Sequence, residues 1–124
     1  MAKARRPASP YDRIRALSLA HPGAFEKEAW GAPTFRIERG KMFVMFADNH
    51  HDDGRVAIWC RATADGREAL LELDAQRFFV PPYVGASGWV GVRLEGRVPW
   101  PAVTDVISEA ARLAAPKKIR RRTR

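Results

Sequence analysis

Residues Arg77–Leu94 read RFFVPPYVGASGWVGVRL, and how this stretch divides decides the fold. Pro81 and Pro82 fix two φ angles and remove two backbone donors, so no central strand runs through them. The chain must bend there or follow an edge. Gly85 and Gly88 tolerate positive φ, which suits a tight return. After the return, "WVGVRL" alternates: Val90, Val92 and Leu94 take one face, Trp89, Gly91 and Arg93 the other. The apolar set suits a core. Trp89 and Arg93 then lie ~13 Å apart on the opposite face, with a gap at Gly91.

Working outward, the same alternation recurs. In "TFRIE", Phe35 and Ile37 oppose Arg36 and Glu38. "RGK" turns the chain into "MFVMFA", a hairpin. "DNHHDDG" is a second turn, and "RVAIWCR" a third strand with Val56, Ile58 and Cys60 against Trp59 and Arg61. Tyr11, Ile14 and Leu17 recur at three-residue steps, a short helix after Ser9-Pro10 that "HPG" stops at His21–Gly23. "ADGREALLELD" reads as a helix with Asp65 a candidate N-cap and Leu70, Leu71 and Leu73 apolar. Val103, Val106, Ile107, Ala110 and Leu113 form a helical stripe that Pro116 ends. The order is helix, three strands, helix, one or two strands, helix. It predicts an α+β, two-layer domain: a single antiparallel sheet of about five strands with helices on one face. The other face is then open, at least in part, to solvent.

The chain of 124 residues is one domain's worth, and 46% hydrophobic residues fit a globular protein. No apolar run approaches the ~18 to 20 residues that span a bilayer, so no membrane role is expected. "MAKARRPASP" is basic but no apolar segment follows it, so it is not read as a secretory signal. Cys60 is the one cysteine, which excludes an intrachain disulfide and makes a reducing cytoplasm the simplest location. The formal net charge is +8, but it is not spread evenly. Nine bases lie in the ends: Lys3, Arg5, Arg6, Lys117, Lys118, Arg120, Arg121, Arg122 and Arg124. Pro7–Pro116 keeps thirteen bases against fourteen acids, a net of about −1. The organisation expected is a basic tail (1–10), one domain (11–116) and a second basic tail (117–124), the tails being attractive to polyanions.

"EAWGAPTFRI" (Glu28–Ile37), the opening stretch and "RLAAPKK" (Arg112–Lys118) together resemble the MmcQ/YjbR family. The order and spacing of these blocks match over about Tyr11 to Ile119. The resemblance implies helix, three strands, helix, two strands, helix, a shape related to CyaY and to secretion chaperones. Members are commonly described as DNA-binding. Many relatives carry His where this chain has Ala32, so any role of that histidine is absent here. The tail 120–124 lies outside the resemblance.

Catalytic and metal chemistry find little support. "NHHDDG" (Asn49–Gly54) holds two imidazoles and two carboxylates, but neighbours on a turn point apart and Asp-Gly is ordinary turn chemistry, so no metal site is expected at His50, His51, Asp52 or Asp53. Cys60 has no Cys-x-x-Cys partner and sits in an apolar run. Ser87 lacks the second glycine of a nucleophile elbow, Trp89 standing in its place. No phosphate-loop lysine follows "GASGWVG", and no acid/base pair is visible. The chain is read as a non-enzyme with no cofactor.

The binding candidates are Arg36, Trp59, Arg61, Tyr83, Trp89 and Arg93, with the tail residues Lys117, Lys118, Arg120, Arg121 and Arg122. An open aromatic–arginine face binds by stacking and cation–π contact. The same pattern also arises when arginines simply cover tryptophans from water. Trp30 and Trp100 flank element starts and are expected to pack. Three classes remain: nucleic acid, DNA first, through tails and face; a protein-binding or chaperone-like module; and a small-ligand pocket near "VPPYVG" and "AWGAPTF".

Overall fold

A computed structural model describes residues 9–49 and 54–116. Helix α1 (Pro10–Leu19) starts at a capping box. Ser9 Oγ accepts from the Asp12 amide at 3.0 Å, and Asp12 Oδ2 accepts from the Ser9 amide at 3.3 Å. Strands β1 (Ala24–Ala29) and β2 (Ala32–Ile37) form a hairpin around Trp30 and Gly31. Both loop residues have positive φ, 55° and 76°, as a two-residue loop matched to strand twist requires. β3 (Met42–Asp48), β4 (Val56–Cys60), helix α2 (Ala64–Leu73), β5 (Phe78–Phe79), a 3₁₀ turn (Val84–Ser87), β6 (Val90–Arg93) and helix α3 (Trp100–Ala114) follow. All strand pairs are antiparallel in one sheet of order β1-β2-β3-β4-β6-β5.

The class is the expected α+β, with six strands instead of about five. The additional strand is β1. Its sequence, AFEKEA, shows no apolar alternation because an edge strand buries little. Its inward residue Glu26 is polar and is satisfied from α1. Tyr11 Oη donates to Glu26 Oε2 at 2.5 Å and Arg15 Nε donates to Oε1 at 2.8 Å. Partial burial opposes the charge on Glu26, but these two donors and the Arg15 charge outweigh it and hold the carboxyl below its usual range. Helix α2 also departs from expectation. Thr63 is its N-cap, accepting from the Gly66 amide at 2.9 Å, while Asp65 sits in the first turn, where its charge favours the dipole. None of its leucines is buried.

The helix-side core gathers Phe35, Ile37, Ile58, Cys60, Val90, Val92 and Leu94 from the sheet, as the alternation predicted, under Ile14 of α1 and the α3 stripe. That stripe is Val103, Val106, Ile107 and Ala110 as expected, continued by Ala111 and Ala114 with Leu113 only half-buried. Strand β3 adds two consecutive core residues. Phe35 pairs Val44 while Arg36 pairs Met42, so Phe43 is an extra residue turned inward beside Val44. The β2–β3 turn caps α3: the Lys41 amide donates to the Ala114 carbonyl at 3.0 Å, and a side chain at Gly40 would run into that oxygen.

The other sheet face has a second, smaller core of Ala32, Met45, Ala47, Ala57, Trp59, Phe79 and Trp89. Register explains it. One row across the sheet reads Lys27, Thr34, Met45, Trp59, Gly91, Phe79. Phe79 leans over Gly91, where a Cβ would lie only 2.4–2.7 Å from its ring atoms. The predicted gap is therefore filled from the neighbouring strand.

Two outcomes are expected. Gly91→Ala should cost about 1–3 kcal/mol by overpacking. In chemical denaturation, that penalty should shrink when Phe79→Leu is added, so the double-mutant cycle reads non-additive. The Glu26 carboxyl, titrating lower when folded than unfolded, stabilises the fold above its unfolded pKa and loses that contribution as pH falls through its folded one. The stability gap between the native chain and Glu26→Gln should therefore close as urea melts are moved from pH 6 to pH 3.

Candidate polyanion-binding face

The helix-free face was expected to present open tryptophans, and the structure corrects this. Trp59 and Trp89 are only 2% and 3% exposed. The reason lies in the bend after β5. Phe79 covers the centre of the face, Val84 from the 3₁₀ turn packs beside it, and guanidinium groups lie over the rings. Arg61 Cζ sits 5.2 Å from the Trp89 ring centroid, Arg93 Cζ 5.4 Å and Arg55 Cζ 4.2 Å from that of Phe79. Each such contact stabilises by roughly 0.5–2 kcal/mol and keeps water off the ring.

The bend is held by main-chain acceptors. Arg67 of α2 donates through Nη1 to the Gly85 carbonyl at 2.7 Å and the Trp89 carbonyl at 3.1 Å. Arg77 donates to the carbonyls of Arg93 and Glu95, both at 2.8 Å, and of Arg97 at 3.1 Å. Pro81 is buried within the bend. Beyond it, Tyr83 has φ 62° and ψ −74°, and the Val84 amide donates to the Pro82 carbonyl at 2.6 Å. This is a γ-turn with positive φ, rare and strained for a bulky residue. Tyr83 is 74% exposed, on the loop that covers the aromatic face.

The guanidinium groups are what the face presents. Arg36 Nε donates to Thr34 Oγ1 at 3.1 Å, and Arg61 Nε to the Met42 carbonyl at 2.9 Å. The buried Arg93 Nε makes no hydrogen bond among the described residues. No carboxylate pairs with Arg36, Arg61 or Arg93 among those residues. The ion pairs Arg15–Glu26 and Arg112–Glu109 belong to the helix layer. Burial lowers the Arg61 pKa from its ordinary value, with desolvation as the cause. A desolvated cation without a carboxylate is stabilised by any anion that reaches it.

Of the sequence-predicted residues, Arg36, Arg61, Arg93, Trp59 and Trp89 share this face, the two tryptophans as its buried bed. Tyr83 stands on the covering loop. Lys117, Lys118, Arg120, Arg121 and Arg122 lie outside the described residues, as do His50, His51, Asp52 and Asp53. Arg55 was missed, although the alternation Arg55, Ala57, Trp59, Arg61 places it on the same face. Trp30, expected to pack, is 67% exposed at its hairpin tip, while Trp100 is half-buried under Arg13, 4.8 Å from its ring centroid. Cys60 is fully buried and burial pushes its thiol pKa up, which removes it as a nucleophile. Among the described residues no three His, Cys, Asp or Glu gather to hold a metal ion, and no helix is long and apolar enough to cross a membrane.

Comparison with known proteins places the architecture. The crystal structure of Deinococcus radiodurans protein DR2400, described as a DUF419 domain, superposes with a TM-score of 0.67. At 16% identity over 91% of this chain and 94% of that one, it shares the fold. No curated protein matches the chain. The YjbR family model matches residues 19–113, from the end of α1 almost to the end of α3, and so takes in both sheet faces and the bend between β5 and β6. The chain belongs to the YjbR family.

Proposed function

We propose that the protein binds nucleic acid, DNA first, as a polyanion. Contact is made by the guanidinium array Arg36, Arg55, Arg61 and Arg93 together with the basic ends, chiefly Lys117–Arg122. The carrying observation is the array itself: Arg55, Arg61 and Arg93 lie over one aromatic bed with Arg36 on the same face, and Arg36, Arg61 and Arg93 are without a carboxylate partner among the described residues. The body charge of about −1 counts against this reading less than the sum suggests, because five of the fourteen acids stand on α2 and α3. Asp65, Glu68 and Glu72 lie on α2 and Asp105 and Glu109 on α3, in the helix layer. Trp59 and Trp89 hold the arginines in place and are too buried to stack on bases. Tyr83 is the aromatic available for that, at roughly 1–3 kcal/mol per base. The buried, inert Cys60 suits the reducing cytoplasm that this function implies.

Titrating duplex and single-stranded DNA across a salt series tests the proposal. Each neutralised phosphate contributes about −0.9 to the slope of log K against log salt on duplex. Arg61→Gln/Arg93→Gln should flatten the duplex slope by about 2, and removal of residues 117–124 by up to about 5. Tyr83→Ala should weaken single-strand binding and spare duplex. An unchanged slope in the double variant would remove the face from the proposal, and one in the truncated chain would remove the tail. Binding of the intact chain to heparin as tight as to any nucleic acid would overturn the reading.

A further inference from the structure

The helix-free face of the sheet runs on to its edge strand. Residues paired across strands share a face, so the β1–β2 register carries the face of Arg36 onto β1: Phe25 lies opposite Arg36, and Lys27 opposite Thr34. From Phe25 a row crosses the sheet. Arg36 pairs Met42, Arg61 Nε donates to the Met42 carbonyl at 2.9 Å, and the Arg61 guanidinium lies over the Trp89 ring. From β1 to β6 this row spans four strand spacings, roughly 19 Å. Exposure changes along it. Trp59, Phe79 and Trp89 are at most 8% exposed, whereas Phe25 is 39% exposed at the sheet edge, with exposed Lys27 beside it.

Charge does not cancel on this surface. Among the described residues the strands carry three acids, Glu26, Glu28 and Asp48, and all three belong to the helix side. Glu26 and Glu28 alternate with Phe25 and Lys27, and Asp48 pairs Val56, which packs on the helix-side core. The helix-free side of the strands bears Lys27, Arg36 and Arg93, with Arg61 just beyond β4, and no carboxylate. Glu38 stands past the end of β2 and forms no ion pair with Arg36 or Lys27. Phe25 is thus an exposed ring set among cations.

We propose, resting on the polyanion-binding reading, that a single strand of DNA lies across the β-strands along this row, with a base stacked on Phe25 at the β1 edge and phosphates on Lys27, Arg36 and Arg61. A single strand offers the two features that the row matches, a π-face for the ring and charge for the cations. In a duplex the bases stack on one another, and Phe25 gains nothing from them.

The test titrates the full chain by fluorescence anisotropy against three labelled DNAs: an oligothymidine of about ten nucleotides, an abasic oligomer of the same length, and a duplex. Oligothymidine should bind more tightly than the abasic oligomer. Phe25→Ala should weaken oligothymidine binding about tenfold, as loss of one stacked base does, and leave the abasic oligomer and the duplex unchanged. Phe25→Leu, which keeps apolar bulk without a ring, should lose as much, and Phe25→Trp should lose nothing. Lys27→Gln should flatten the oligothymidine salt slope by about 0.7. Full oligothymidine affinity in Phe25→Ala or Phe25→Leu, or an equal loss on the abasic oligomer and the duplex, would overturn the single-strand path and leave polyanion binding standing. Failure of the intact chain to bind any of the three DNAs would overturn the polyanion-binding reading itself, and the path with it.

Discussion

The placement of the Phe79 ring over Gly91 is the contact on which the second half of this structure depends. A sheet with helices on one side leaves its other side to water, and here that side carries two tryptophans, two methionines and three alanines. Burying them requires something to cross the sheet without a third layer of helices. A strand of only two residues, Phe78–Phe79, does this by pointing Phe78 into the helix-side core and Phe79 onto the opposite face. Two conditions make it possible. Position 91 must carry no side chain, because the ring occupies that space. The chain must also turn away immediately afterwards, and Pro81-Pro82, ending in the strained turn at Tyr83, makes it do so.

The arginines follow from that arrangement. Once the rings form a flat bed, a long side chain from a neighbouring strand lies across it and gains cation–π contact while its polar end stays near solvent. Arg93 does this from β6, and Arg55 and Arg61 from just before and just after β4. The cover that shields the aromatics thus leaves the face cationic. Five of the fourteen acids stand on α2 and α3, away from these arginines.

Much of this was legible beforehand, and the reasons differ by element. Alternation in "WVGVRL" and "RVAIWCR" sorted the core residues from Trp59, Trp89, Arg61 and Arg93, because strand period is a local property of the chain. It should have found Arg55 as well, and the only obstacle was that Arg55 precedes the apolar run. Strand β1 was invisible for a physical reason: an edge strand satisfied by Tyr11 and Arg15 from a distant helix has no need of an apolar pattern. The α2 leucines misled in the opposite direction, since an apolar stripe reports a tendency to bury and not the presence of a partner.

The sequence by itself determined the fold class, the order of the elements other than β1, the faces of β4 and β6, and the separation of basic ends from a near-neutral body. These depend on periodicity, on turn-forming residues and on counting charge, all of which are local or additive. Tertiary structure decided what covers each face. Trp59 and Trp89 are buried because Phe79, some twenty residues from one and ten from the other, arrives over Gly91. Helix α2 makes little contact with α3 and is tied by Arg67 to the carbonyls of Gly85 and Trp89. Such burial depends on which segment comes to lie opposite which, and no local period encodes that.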